Sequence, residues 1–234
     1  MWLKICGITD EDDARLAAGL GVNALGFVFW PGSRRFVAPT RASSIAAALP
    51  GHVERVGVFV DQDPAVIEGI SQEVGLDAVQ LHRSPGPTQG SGHAPWAAGY
   101  RDLVGRPRHR CEETAWSVLR LIAVLTVDPG FDVASVDALP RSITVLLDAA
   151  ERGLPGGTGK TIDWGIAARV ARRRATVLAG GLTPENVADA IRIVQPSGVD
   201  VASGVEFPGR PGTKDPDRLK RFVAAVRGAE VTAR

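Results

Sequence analysis

The chain has 234 residues, 44% hydrophobic and 23% charged, a composition that can bury a substantial core and is unlike that of a disordered chain. Its formal net charge of +1, without a lysine-rich tract, gives no electrostatic basis for binding nucleic acid. No apolar stretch approaches the ~18–20 residues of a membrane span, the N-terminus lacks a signal-peptide pattern and two cysteines make no disulfide framework, so we expect a soluble, cytoplasmic protein.

Short apolar runs alternate with longer helical segments along most of the chain. The strand candidates, in chain order, are Trp2–Ile5, Ala24–Phe29, Arg55–Val60, Ala78–Leu81, Leu121–Val127, Thr144–Leu147, Thr176–Ala179 and Val199–Ala202. The helix candidates are Asp12–Leu20, Thr40–Leu49, Pro64–Val74, Trp164–Arg172, Pro184–Val194 and Asp215–Val226. Eight strands, mostly separated by helices, predict one α/β domain, residues 1–234, folded as a single (β/α)8 TIM barrel.

Local signals add detail to this pattern. Thr40 and Thr183 are candidate N-caps for two of the helices. Three consecutive arginines, residues 172–174, are expected to end a helix as a solvated face that complements its dipole.

One segment departs from the alternation. Between Leu81 and Leu121 the sequence is rich in glycine, proline and arginine, and only the stretch APWAAGYRDLV favours a helix. We therefore expect an irregular Gly/Pro-rich segment in the fourth βα unit of the barrel. Cys111 lies in this segment without an evident partner.

A glycine-rich loop, GLPGGTGKT, follows the sixth predicted strand at residues 153–161. A nucleotide-binding P-loop needs a glycine, four residues and then Gly-Lys-Ser/Thr. The position five residues before Gly159 is Leu154, whose β-carbon would obstruct the tight phosphate cradle. The spacing therefore disfavours a nucleotide site and by itself assigns the loop no function.

In a (β/α)8 barrel the functional residues lie where the strands end and the βα loops begin. Two glycine-containing loops, AGGLTPENV and ASGVEFPG, follow the last two predicted strands. Loops at these positions frequently bind phosphate, because glycines let backbone N–H groups approach an anion closely. We therefore expect a phosphate to bind at Gly180, Gly181, Ser203 and Gly204.

A cysteine and an aspartate end the first and sixth predicted strands. Cys6 with an ordinary pKa is only about 3% thiolate at pH 7, so a role as general base needs surroundings that favour the anion, and the acidic residues 10–13 oppose it. Asp148 needs a raised pKa to donate a proton near neutrality. Chemistry alone leaves open whether the two act as base and acid or Cys6 is an ordinary buried cysteine.

Taken together, the motifs resemble one family. KICGIT, GFVFWPGSRRFV, VGVFVD, LDAVQLH, LLDA, GGTGKTIDW, LAGGLTPENV and VDVASGVE, followed by PGTKD, occur in the order found in phosphoribosylanthranilate isomerases and cover all but the middle of the chain. The resemblance implies a (β/α)8 enzyme of tryptophan biosynthesis that carries out an Amadori rearrangement without metal or cofactor. The chain departs from the family where QLHR replaces the usual Gln-Leu-His-Gly.

The resemblance also implies roles for individual residues. Cys6 is the expected general base, Asp148 the general acid and Arg35 the partner of the anthranilate carboxylate. The retained polar residues of the fourth strand, Gln80 and His82, are expected to bind substrate. The glycine-rich loop is expected to be a mobile lid over the active site, formed by Gly156, Gly157, Thr158 and Gly159.

Two alternatives stay open. One is a related barrel isomerase that acts on a phosphoribosyl aminoimidazole of histidine biosynthesis as well as, or instead of, the anthranilate substrate. Such barrels resemble one with an aspartate at the end of the first strand, where this chain has Cys6. A non-catalytic phosphosugar-binding barrel would need neither the acid nor the base. The expected partner is a small phosphorylated substrate, with no nucleic acid or membrane, bound to a monomer or a homodimer.

Overall fold

Eight parallel strands pair in chain order and close into a barrel in the computed structural model, which describes residues 1–82, 119–149 and 162–232. The barrel closes where β1 pairs with β8, with Lys4 opposite Asp200. The strands are β1 Trp2–Cys6, β2 Ala24–Val28, β3 Glu54–Phe59, β4 Ala78–Leu81, β5 Arg120–Val127, β6 Thr144–Ala149, β7 Thr176–Leu178 and β8 Gly198–Val201. The predicted barrel is thus confirmed.

Helices follow most strands and cover the outside of the barrel. They are α1 Glu11–Gly19, α2 Pro39–Ala47, α3 Pro64–Val74, α4 Trp164–Ala171, α5 Val187–Val194 and α6 Pro216–Thr232. A 3₁₀ helix, Val133–Ala138, follows β5, and a short one, Ser203–Val205, follows β8. In the described part of the chain, no helix is long and apolar enough to span a membrane.

Strand residues alternate between the two sides of the barrel wall. Outward-pointing residues such as Ile5 and Phe27 pack in one large cluster with the apolar faces of the helices. A smaller cluster fills the barrel with residues from β2 to β7, including Ala24, Val56 and Leu146. Because side chains alternate with a period of two, every second residue of a strand faces the inside of the barrel. Inner-facing polar residues near the ends of the strands therefore lie together at the carboxyl end of the barrel.

Two helices, α2 and α5, begin at residues other than those that the sequence predicts. Thr40 is not the N-cap of α2, because Pro39 already occupies the first helical turn and Ala38 is the capping residue. Helix α5 begins at Val187, three residues later than predicted, because Asn186 folds back and accepts a hydrogen bond at 2.8 Å from the N–H of Thr183.

The prediction of a solvated arginine face was wrong for one residue. Arg174 is buried, and its guanidinium donates hydrogen bonds to the carbonyl oxygens of Val136, Leu139, Pro140 and Ile143. It thereby satisfies backbone acceptors at the end of the 3₁₀ helix that leads into β6. The predicted helix of the fourth βα unit, its Gly/Pro-rich segment and Cys111 lie outside the described residues.

Candidate active site

A single cavity at the carboxyl ends of the strands brings the predicted site residues together. It is lined by residues that lie on or follow β1, β2, β3, β4, β6, β7 and β8, among them Cys6, Arg35, Gln80, His82, Asp148, Gly180, Gly181, Ser203 and Gly204. The four residues of the predicted lid, Gly156 to Gly159, lie outside the described residues. The cavity therefore contains every predicted site residue that the structure describes.

Cys6 is the last residue of β1 and is almost completely buried in the cavity wall. Burial raises the pKa of its thiol, and the charges of Lys4 and Lys214 only partly oppose this effect. The carboxylate of Asp200 raises it further. Both lysines and Asp200 were missed by the sequence analysis, which considered only the acidic residues near Cys6 in the chain.

Asp148 lies on β6 and faces the same cavity as Cys6. One carboxylate oxygen, Oδ1, accepts a hydrogen bond of 2.8 Å from the N–H of Ala149, which fixes the orientation of the group. The other, Oδ2, is 3.3 Å from Nε2 of His82, the residue that follows β4. Asp148 is thus held from two sides while it still lines the cavity.

Arg35 reaches the cavity from the loop after β2. Its guanidinium forms two hydrogen bonds with Glu206, Nε to Oε1 at 2.8 Å and Nη2 to Oε2 at 2.7 Å. The side chain passes over Gly7, where a β-carbon would overlap with the Arg35 Cδ atom. This pairing uses only one edge of the guanidinium, and Nη1 has no hydrogen-bond partner among the described residues, so it remains a donor for a ligand.

Glu206 joins Arg35 to the end of β1. It also accepts a hydrogen bond of 2.9 Å from Lys214 Nζ, and Lys214 Nζ donates to the carbonyl oxygen of Cys6 at 2.7 Å. Burial opposes the charge of Glu206, but Arg35 and Lys214 outweigh it and lower the pKa of the carboxyl group. The chain of ion pairs therefore holds Arg35 in a fixed position relative to Cys6.

Three buried polar atoms around the cavity have no hydrogen-bond partner among the described residues. They are Oε1 of Gln80, Nδ1 of His82 and Oδ1 of Asp200, and all three residues line the cavity. Unpartnered buried polar atoms are costly and commonly mark the places where a ligand or water binds. Their positions provide hydrogen-bond partners for a polar ligand such as a sugar.

The loops after β7 and β8 form the glycine-rich side of the cavity. Gly180 and Gly181 both have positive φ, at 80° and 65°, a conformation that favours glycine. Ser203 and Gly204 begin a 3₁₀ helix, whose first N–H groups have no acceptor within the helix itself. The side chain of Asn186 donates to the carbonyl oxygen of Gly181 at 2.9 Å and holds the β7 loop in place.

Replacement of Gly204 with alanine is expected to damage this side of the cavity. A β-carbon at Gly204 would overlap with the carbonyl oxygen of Leu182, so the two loops would have to separate. We expect the free energy of unfolding to fall by about 1–3 kcal/mol in urea denaturation. The affinity for inorganic phosphate is expected to fall as well.

Gly69→Ala is the matched control for this substitution. Gly69 lies inside α3, and a β-carbon there has no atom within 4 Å. Because alanine favours helix over glycine, Gly69→Ala is expected to leave stability unchanged or raise it. Equal effects of the two substitutions would contradict the close packing of the β7 and β8 loops.

Comparison with known proteins identifies the family. A model of the N-(5'-phosphoribosyl)anthranilate (PRA) isomerase family matches residues 3–91 and 108–225. The chain belongs to this family. An N-(5'-phosphoribosyl)anthranilate isomerase from Acidithiobacillus ferrooxidans is 41% identical to it over 226 residues, which cover 97% of each protein.

Solved structures of the family have the same fold. The phosphoribosyl anthranilate isomerase of Thermotoga maritima is 36% identical and superposes with a TM-score of 0.79 over 97% of this chain and 99% of that chain. Another phosphoribosyl anthranilate isomerase, 34% identical with a TM-score of 0.76 and the same coverage, was solved in complex with reduced 1-(o-carboxyphenylamino)-1-deoxyribulose 5-phosphate. The family and the fold expected from the motifs are therefore confirmed.

Proposed function

We propose that this chain converts N-(5-phosphoribosyl)anthranilate into 1-(2-carboxyphenylamino)-1-deoxyribulose 5-phosphate by acid-base catalysis. The observation that carries this proposal is the shared cavity: Cys6 and Asp148 line it together with an arginine and two glycine-rich loops. A substrate with a carboxylate, a sugar and a phosphate matches these three kinds of group. Membership of the isomerase family supports the same reaction.

Asp148 starts the reaction as the general acid. It donates a proton to the ring oxygen of the ribose, the bond from that oxygen to the first sugar carbon breaks, and a protonated Schiff base forms with the anthranilate nitrogen. The thiolate of Cys6 then removes the proton from the second sugar carbon. The electron pair of that C–H bond moves toward the iminium nitrogen and leaves an enolamine, which tautomerises to the ketone.

The chemistry of the intermediate and the geometry around Asp148 support these roles. The Schiff base acidifies the neighbouring carbon, so proton removal needs no further electrophile. Asp148 is oriented by the N–H of Ala149 and by the imidazole of His82. Acid and base at fixed positions typically contribute about 10²–10⁴-fold each to the rate.

The phosphate and the carboxylate of the substrate bind at sites away from the two reacting carbons. The phosphate binds to the N–H groups of the β7 and β8 loops, at Gly180, Gly181, Ser203 and Gly204. The anthranilate carboxylate binds to the free edge of Arg35, which Glu206 holds in place. Binding energy from both ends orients the sugar between Cys6 and Asp148.

Arg35→Lys is expected to weaken substrate binding. Lysine keeps the positive charge but cannot pair with Glu206 and a carboxylate through a planar fork of N–H groups. Steady-state kinetics are expected to show a KM raised about tenfold or more, consistent with a charge-assisted hydrogen bond of ~1.5–3 kcal/mol. Arg34→Lys, at the exposed neighbouring position, is the control and is expected to leave KM unchanged.

Complementation tests the proposed function against the histidine-pathway alternative. Expression of the chain is expected to restore growth without tryptophan to a strain that lacks phosphoribosylanthranilate isomerase. It is not expected to restore growth without histidine to a strain that lacks the corresponding aminoimidazole isomerase, because β1 ends in Cys6 rather than aspartate. Rescue of the second strain alone would overturn the proposal.

A further inference from the structure

A fully buried lysine lies next to the proposed base. Lys4 and Cys6 are two residues apart on β1, so their side chains point to the same inner face of the barrel. The side chain of Lys4 is 0% exposed, and an ammonium group is costly to bury unless it is paired. Its position therefore requires an explanation beyond packing.

The neighbouring strand provides the space that both side chains occupy. Cys6 is paired with Gly26 of β2, and a β-carbon at Gly26 would lie 2.8 Å from Cys6 Sγ and 2.9 Å from Lys4 Cε. The thiol and the end of the lysine side chain thus occupy neighbouring positions above the same glycine. The absence of a side chain at Gly26 leaves room for both.

Asp200 holds the ammonium group from the opposite side. It lies opposite Lys4 in the β1–β8 register, and its Oδ2 atom accepts a hydrogen bond of 2.8 Å from Lys4 Nζ. Burial alone would lower the pKa of Lys4, but Asp200 and Cys6 outweigh it and raise the pKa, so the lysine stays charged. The Asp200 carboxylate therefore favours the charged form of Lys4 beside the sulfur atom.

We propose that Lys4 is a positioning residue that stabilises the negative charge on the Cys6 sulfur before it removes the substrate proton. The proposal deepens the function proposed above and rests on Cys6 being the base. Lys4 transfers no proton: the thiolate takes the proton from carbon and becomes a thiol, while the ammonium stays paired with Asp200. The role of Asp200 toward Cys6 is to hold this ammonium in place.

Other charged groups near Cys6 set the direction of each expected effect. Lys214, from the segment before α6, and Arg35, from the loop after β2, add positive charge, and Asp200 on β8 adds negative charge. Removal of Lys4 is expected to raise the pKa of Cys6. Removal of the Asp200 charge is expected to lower it, because the nearby negative charge that opposes the thiolate is lost.

The opposite signs give a test that needs no substrate. The rate of Cys6 alkylation by iodoacetamide is measured against pH, with the modified Cys6 peptide quantified by mass spectrometry. The midpoint is the pH at which the alkylation rate of Cys6 is half-maximal. For Lys4→Met this midpoint is expected to rise by about 1–3 pH units, and for Asp200→Asn it is expected to fall. Lys220→Met removes an exposed lysine from α6 and is expected to leave the midpoint unchanged.

A double variant controls for the instability that an unpaired buried charge would cause in the single variants. Lys4→Met/Asp200→Asn removes both charges of the pair, so no unpaired buried charge remains. Its midpoint is expected to lie above that of Asp200→Asn, which isolates the effect of the lysine. Variants that lose stability while the midpoint stays at the wild-type value would overturn the proposal and assign Lys4 a structural role. An inactive wild type whose midpoint still responds to Lys4 would instead overturn only the proposed isomerase function.

Discussion

Cys6→Ser is expected to lower kcat by about 10²–10⁴-fold, the contribution typical of a general base. A serine hydroxyl fits the same space at the end of β1 but is far less acidic than a thiol. The positive charges of Lys4 and Lys214 therefore do not stabilise its anion enough for it to act as a base. The barrel is expected to stay folded, because one buried sulfur is replaced by a smaller atom. Activity within tenfold of the wild type would exclude Cys6 as the base.

The pH dependence of the same variant gives an independent check. Burial raises the pKa of Cys6, so only a small fraction is thiolate at neutral pH and this fraction grows as the pH rises toward that pKa. The wild-type kcat/KM, which reports the free enzyme, is therefore expected to increase with pH through this range. Cys6→Ser is expected to lack this increase, and Cys111→Ser, at the other cysteine, is expected to keep it.

Asp148→Asn is expected to lower kcat by about 10²–10⁴-fold with little change in KM. Asparagine has the same shape and can still accept a hydrogen bond from the Ala149 N–H, but it cannot give a proton to the ribose ring oxygen. A lower kcat with an unchanged KM shows that the lost interaction exists only in the transition state. Steady-state kinetics over a range of substrate concentrations that reaches saturation provide both values.

Asp128→Asn is the control for the general acid. Asp128 follows β5 at the same end of the barrel, is exposed and accepts a hydrogen bond from the N–H of Gly130. Its replacement is expected to leave kcat unchanged. An equal loss in both variants would show that the effect on Asp148 comes from general charge removal rather than from proton donation.

The sequence predicted the barrel well because local patterns determine it. Every described strand lies within one or two residues of its predicted bounds, since the apolar runs are short and bounded by turn residues. The close packing of the glycine-rich loops after β7 and β8 was also predictable, because glycine is needed where backbones approach closely, as Gly204 does to Leu182. Helix starts were less predictable, since Asn186 delays α5 through a hydrogen bond that no single-residue preference indicates.

The electrostatic partners of the site were not predictable in the same way. Asp200 and Glu206 are far from Lys4 and Arg35 in the chain, and only barrel closure through the β1–β8 pairing brings each acid to its base. The burial of Arg174 was unpredictable for the same reason, since the carbonyl groups that accept its hydrogen bonds belong to a different segment of the chain. One signal was present: the alternation of Lys4 and Cys6 on β1 places both on the inner face.

The most direct test of the proposed isomerase function is turnover of the proposed substrate. Phosphoribosylanthranilate is generated in situ, and the loss of its fluorescence is followed with the wild type, Cys6→Ser and Asp148→Asn. Rapid decay with the wild type, and decay slower by orders of magnitude with both folded variants, is expected from the proposed acid-base mechanism. A wild type that binds a phosphosugar but leaves the fluorescence unchanged would contradict it and favour a non-catalytic binding protein.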